Sequence, residues 1–201
     1  MRQGCGFTGL SLREVTREAG VVPTAFYRHF RNMDELGLAL VEECGLTLRR
    51  LLREARLGST MPADMLRESV LIYKRYVEEN RLSFLFVVGE RGGGSPVIRE
   101  AIRREIAHFI SEMAQDLRNV NALPGLSMNS LRMICELVIN GMLNVALDIL
   151  DLPPHRPDLE QELVEQCIKR MRLVFLGAQR WREKPSRLPV AVTAAGWMDG
   201  G

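Results

Sequence analysis

The stretch from Ser127 to Leu150 constrains the fold more than any other part of the chain, because at helical spacing it is apolar almost all round. Leu131, Ile134, Val138, Met142, Val145 and Ile149 form one stripe, and Met133, Leu137 and Leu147 lie outside it. Such a helix must be buried on more than one side, so other helices have to surround it. Alternating β-branched runs bounded by turn residues are nearly absent before Pro185. The chain is therefore expected to be all-α, and its 201 residues can build a core without disulfide or structural metal.

Helix signals fill the rest of the sequence. Ser11 with Glu14 three residues on is a capping box that opens a short helix over Leu12 to Ala19, and Gly20 ends it. The turn Gly20-Val21-Val22 leads to Pro23, which starts a second short helix running to about Phe30. Val15, Ala19, Val21, Phe26 and Phe30 have the spacing to pack this pair together. Asn32, with Glu35 three residues on, caps a longer helix over Asp34 to Arg56, and Gly58 to Pro62 punctuates its end. From Pro62 to Asn80, Leu66, Val70, Tyr73 and Val77 recur at helical spacing.

Arg81 to Gly89 is a compact apolar run, broken by Glu90-Arg91-Gly92-Gly93-Gly94. Ser95 caps the next helix, with Pro96 at its first position, and that helix runs to about Val120 with Ile98, Ile102, Ile106, Phe109, Met113 and Leu117 on one side. After Ser127 to Leu150, the stiff link Asp151 to Pro157 leads to a last helix lined by Leu159, Leu163, Cys167, Met171, Val174, Ala178 and Trp181. The helices at about 127–150 and 157–182 carry more apolar surface than one domain needs, and are expected to form a homodimer interface. The expected division is a helix-turn-helix head over 1–33, a helical ligand-binding and dimerisation body over 34–182, and a flexible tail over 183–201.

Several function classes are excluded on the same footing. A net charge of +2 is too small for the whole chain to be a polyanion binder, although Arg2, Arg13, Arg17, Arg28 and Arg31 outweigh Glu14 and Glu18 within 1–33. Cysteines 5, 44, 135 and 167 lack metal or redox spacing, so no metal is expected. No nucleophile–base pair, paired buried carboxylates or phosphate loop is present, and Gly92-Gly93-Gly94 follows no strand, so neither enzyme activity nor a cofactor is expected. Charged residues interrupt every apolar stretch short of the ~18 residues of a membrane span. The start of the chain has no secretory pattern, and the expectation is a cytoplasmic protein with no membrane contact.

The text from Ser11 to Val21, then Pro23-Thr24-Ala25-Phe26-Tyr27-Arg28-His29-Phe30 and Asn32-Met33-Asp34-Glu35-Leu36, resembles the DNA-binding signature of the TetR family of repressors. The resemblance implies a DNA operator as partner. A second helix entering the major groove puts Thr24, Ala25 and Arg28 against base edges, and Arg28 can take guanine bidentately. It further implies that Tyr27 and His29 meet phosphate oxygens and that Arg13 reaches the groove. Met33 stands where many members have Lys, which removes one phosphate contact. Members also have a longer helix before the pair. Met1 to Gly6 look like its tail, so either a start further upstream or a head short of its first helix is expected.

Ser11 to Leu40, Phe84 to Gly92 and Arg104 to Ile110 are similar to the FabR and DesT group, which controls unsaturated fatty acid synthesis or desaturation. The resemblance implies a long-chain acyl-CoA effector. A fatty acyl chain needs a long apolar tunnel, for which Leu66, Val70, Tyr73, Phe84, Val87, Phe109, Met113 and Met142 are the candidate walls. Glu90, Arg91 and Arg103 are the candidate contacts for a polar head group. Two other readings stand beside this one: a TetR-type regulator of another small apolar effector, such as a drug in efflux control, and a helical lipid carrier.

Overall fold

The structure is a computed structural model that describes residues 6–58 and 62–182, and among those residues the regular secondary structure is helical. The tail expected over 183–201, and Met1 to Cys5, lie outside the described residues. A 3-10 turn at Phe7–Gly9 precedes eight helices: α1 (Leu12–Glu18), α2 (Pro23–Phe26), α3 (Met33–Gly58), α4 (Pro62–Glu79), α5 (Arg81–Glu90), α6 (Pro96–Asn119), α7 (Met128–Leu150) and α8 (Pro157–Arg180). The all-α expectation holds for the described residues.

Local chemistry sets the helix ends. The Ser11 hydroxyl accepts the Glu14 N–H at 3.3 Å while the Glu14 carboxylate accepts the Ser11 N–H at 2.9 Å, the reciprocal bonds of a capping box. Gly20, at φ 67°, ends α1 in the left-handed region that favours glycine. There the Val21 N–H reaches the Thr16 carbonyl and the Gly20 N–H the Arg17 carbonyl, which is the Schellman pattern. Asn32 caps α3 by accepting the Glu35 N–H at 2.9 Å, and Ser95 and Ser127 do the same for α6 and α7.

The second helix of the pair is shorter than the spacing suggests. Only Pro23–Phe26 is regular helix, and the chain continues to Phe30 in bonded turns, with the N–H groups of His29 and Phe30 both reaching the Phe26 carbonyl. The packing set expected within the pair is also smaller. Thr16 and Phe26 are its buried residues, Val15 and Phe30 are half-buried, and Ala19 and Val21 are exposed. Two helices of seven and four residues have only one inner face to fill.

The body is organised around α7, which packs on α4, α5, α6 and α8. By length and mean hydropathy α7 is apolar enough to cross a membrane, although Arg132, Glu136 and Asp148 interrupt it as expected. Here its inward stripe, from Leu131 and Ile134 to Val145 and Ile149, forms the middle of the main core. Lys74 ties α4 to α8, its ammonium lying 2.6 Å from Glu78 and 2.7 Å from Glu160. A second, smaller core of Phe7, Val41, Phe86, Ile98, Ala101 and Ile102 joins the 3-10 turn to α3, α5 and α6.

Candidate functional site

The head presents α2 outward. Arg13, Thr24, Tyr27, Arg28 and His29 are all exposed and Ala25 is half-buried, so each residue expected to meet DNA lies at or near the surface. Phe26 holds the arrangement from beneath, with its ring edge-on to Tyr27 at 5.7 Å and tilted against Phe30 at 5.4 Å. A guanidinium, a phenol and an imidazole on consecutive positions 27–29 are donors suited to phosphate and to the guanine edge. Val22, at the N-cap, has no capping side chain and is exposed beside them.

A cavity of about 120 Å³ lies inside the body, walled by α3 to α8. Seven of the candidate wall residues line it: Leu66, Tyr73, Phe84, Val87, Phe109, Met113 and Met142. Val70 does not, because its side chain is buried in the core beside the cavity. Tyr73 donates its hydroxyl to the Met142 carbonyl at 2.9 Å, which satisfies the one polar atom that an aromatic wall brings with it. Burial pushes the phenol of Tyr73 well above its ordinary range and the Cys44 thiol up to about 11, so both stay protonated at neutral pH.

The charged residues expected at the head-group end are placed elsewhere. Arg91 reaches the Asn140 amide at 2.7 Å on the surface, and Arg103 pairs with Glu100 at 2.8 Å, one helical turn earlier on the outer face of α6. Glu90 is buried outside the lining of the cavity, and it accepts the Phe7 N–H at 2.7 Å. The charged side chains that do line the cavity are Arg49 of α3 and Glu105 of α6, which are bonded to each other. Arg49 also lies 3.4 Å from Glu112. Gly45 makes room for this pair, since a Cβ there would stand 2.5 Å from the Glu105 carboxylate. Sequence reasoning missed both residues: each reads as the polar face of an amphipathic helix, and only the crossing of α3 over α6 brings them together.

On the outside, Met133, Leu137 and Leu147 of α7 and Leu173 and Leu176 of α8 are exposed. They repeat at helical spacing and lie on the two adjoining helices expected to form the dimer face.

Comparison with known proteins agrees with this architecture. Residues 5–40 match the model for bacterial regulatory proteins of the tetR family, and residues 62–170 match that for the tetracyclin repressor-like C-terminal domain. Among solved structures, the chain is similar to the TetR family transcriptional regulator PfmR from Thermus thermophilus, with 17% identity, 85% of this chain and 90% of that one covered, and a TM-score of 0.56. It is also similar to a putative transcriptional regulator from Pseudomonas aeruginosa PAO1, with 20% identity, coverage of 87% and 85%, and a TM-score of 0.61. At these identities the two structures speak for the fold.

Proposed function

The chain belongs to the TetR family of DNA-binding transcriptional regulators, which are not enzymes, and from that premise we propose that it is an acyl-CoA-responsive repressor of genes for unsaturated fatty acid synthesis or desaturation. It holds its operator as a homodimer through two copies of the head. Arg28, Thr24 and Ala25 read base edges from α2, Tyr27 and His29 hold phosphates, and Arg13 reaches in from α1. The exposed faces of α7 and α8 bury one another across the two-fold axis.

The observation that carries the effector reading is the cavity. Its walls are apolar side chains except for the Arg49–Glu105 pair, Ser69 and the satisfied Tyr73, so its lining suits hydrocarbon with a polar group set against the charged pair. The similarity of Ser11 to Leu40, Phe84 to Gly92 and Arg104 to Ile110 to the FabR and DesT group supports an acyl chain in particular. Arg49 can donate to a thioester carbonyl in place of Glu105. A second reading, a regulator answering another small apolar compound such as a drug, is favoured by the size of the cavity: about 120 Å³ is near the volume of cavities that take one benzene-sized group.

The acyl chain acts by preferring one spacing of the two heads. The deciding experiment titrates saturated and unsaturated acyl-CoAs into an operator-binding assay, with the operator selected in vitro. A change in operator affinity with at least one of them is the expected result. Indifference to all of them removes the fatty-acid reading and leaves the regulator of another effector.

A further inference from the structure

Glu90 is an unusual residue for a helical body: a carboxylate only 2% exposed, with one oxygen bonded to the Phe7 N–H and the other, Oε2, without a hydrogen-bond partner among the described residues. Buried carboxylates are rare unless they hold something in place. What surrounds this one is the entry to the head. Phe7 packs edge-on against Phe86 at 5.1 Å, one turn before Glu90 on the same face of α5. The glycines after α5 complete a socket. A Cβ on Gly93 would collide with the Glu90 carboxylate, and one on Gly94 would stand 2.8 Å from the Thr8 hydroxyl. A Cβ on Gly37 of α3 would meet the Phe7 ring at 3.1 Å, and one on Gly6 would lie 3.1 Å from the Glu90 carboxylate. The run Gly92-Gly93-Gly94 is thus more than a helix stop, because two of its members let the Phe7–Gly9 turn lie against α5.

α5 also forms part of the cavity wall, through Phe84 and Val87, and Val87 packs against the second core as well. Phe84 is fixed there edge-on between Tyr73 at 5.8 Å and Tyr76 at 5.7 Å. The cavity and the turn that leads into α1 thus share the ten-residue α5, and Val41 of α3 and Ile102 of α6, which cluster with Phe7, line the cavity beside it. Packed side chains move as blocks, so a shift of α5 under an occupied cavity carries the turn with it.

We propose that Glu90 is a positioning residue that, with Phe86 and the glycines at 93 and 94, fastens the Phe7–Gly9 turn to α5 and so sets the angle of the DNA-holding head by the state of the cavity. The proposal rests on the DNA reading of the head and on the cavity as the effector site, but on no particular effector.

The test uses the full chain with Glu90→Ala, Glu90→Gln and Gly94→Ala. Three quantities are compared: affinity for an operator selected in vitro against random-sequence DNA, hydrogen exchange of the amides at 6–10, and thermal unfolding of the body. Loss of a bond to a charged group predicts that Glu90→Ala releases the Phe7 amide and weakens operator binding about tenfold or more, with the unfolding temperature of the body nearly unchanged. Glu90→Gln, which keeps an acceptor for Phe7, restores both. Gly94→Ala pushes on Thr8 from the surface side and shifts operator affinity and exchange in the same direction without touching the main core.

Addition of oleoyl-CoA to the native protein is expected to change exchange at 6–10, and to change it much less in Glu90→Ala. A native protein that fails to bind oleoyl-CoA in direct titration refutes the acyl reading alone, while the variants still decide the role of Glu90. A native protein that selects no DNA refutes the DNA reading, and the exchange data still decide whether Glu90 holds the turn. Two results overturn the proposal: Glu90→Ala and Gly94→Ala both leaving exchange and operator affinity unchanged, or the two Glu90 variants losing affinity equally along with the stability of the body.

Discussion

Replacing Leu137 and Leu173 by glutamate should turn a dimer into a folded monomer. The five large apolar side chains on this face are Met133 at 46%, Leu137 at 59%, Leu147 at 42%, Leu173 at 70% and Leu176 at 57% exposure. Full burial of such a side chain is worth about 1.5–3 kcal/mol, so covering the exposed half yields roughly 1 kcal/mol each, or on the order of 10 kcal/mol across two protomers. Association costs about 4 kcal/mol or more in lost freedom, which leaves a dimer that is stable but not by a wide margin. Each Leu→Glu change occurs twice by symmetry. It removes about 2 kcal/mol of attraction and forces two carboxylates into an apolar seam, so the double variant loses at least about 4 kcal/mol, near a thousandfold in dissociation constant. Because both leucines project outward, neither change empties the core. Sedimentation velocity across a concentration series reads the outcome, together with circular dichroism for helix content. Operator affinity should fall in parallel, since a single head loses the effective concentration supplied by its twin. An unchanged dimer in the double variant would refute the assignment of this face.

Arg28→Ala should weaken binding to the selected operator by about 1–3 kcal/mol and relax the preference at one base pair per half-site, whereas Tyr27→Phe should weaken all DNA uniformly. A salt series on both variants separates the two effects. Ser11→Ala removes the capping box of α1 and should destabilise the head by about 1 kcal/mol, seen as faster exchange over residues 12–19 with the body unaffected. Gly45→Ala puts a methyl group 2.5 Å from the Glu105 carboxylate and should part it from Arg49, changing effector affinity measured by calorimetry while operator affinity without effector is retained. Burial raises the Cys44 thiol from 9.0 to about 11. The folded state thus holds that proton more tightly than the unfolded one, so this contribution to stability is complete below about pH 9 and drains away as pH rises towards 11. Unfolding temperature should accordingly fall more steeply over that range in the native protein than in Cys44→Ala.

The ends of the helices were legible because their signals are local. Ser11 with Glu14, Gly20, Asn32 with Glu35 and Ser95 with Pro96 each act within a few residues of themselves, and each caps or stops a helix where the spacing predicts. The apolar walls were legible because long helices reveal their inner stripe by period. The short α5 was not. Ten residues, with six consecutive or near-consecutive apolar side chains pointing to every side, leave the helix phase undetermined, so nothing in the sequence separates Phe84 and Val87, which line the cavity, from Phe86 and Glu90, which do not. The polar end of the cavity stayed hidden for a related reason. Arg91 and Arg103 are near the wall in sequence, while Arg49 and Glu105 meet only where α3 crosses α6, 56 positions apart along the chain. Phe7, a lone aromatic among glycines, has no period at all to announce its burial.

The energies required of the effector are small, and that sets a sharp expectation. A tenfold change in operator affinity needs about 1.4 kcal/mol of preference for one state over the other. Burying one methylene is worth about 0.8 kcal/mol, so two carbons that fit in one state and not in the other are enough. The cavity, at about 120 Å³, has no room for a long chain as it stands. Its lining includes Met113, Met142 and Met171, unbranched side chains that can turn aside, and Phe84 and Val87 on the thin helix that leads to the head. If the effector is an acyl chain, as proposed, lengthening it must open the cavity, and α5 and α3 are the elements that would deliver the opening to the DNA-holding end. Across a series of saturated acyl-CoAs, affinity should rise about fourfold per added methylene until the walls can retreat no further, and the effect on operator binding should grow over the same lengths. Calorimetry and operator binding measured on the same series decide this. Affinity independent of chain length would mean that the hydrocarbon stays outside, and the cavity would then have no part in sensing it.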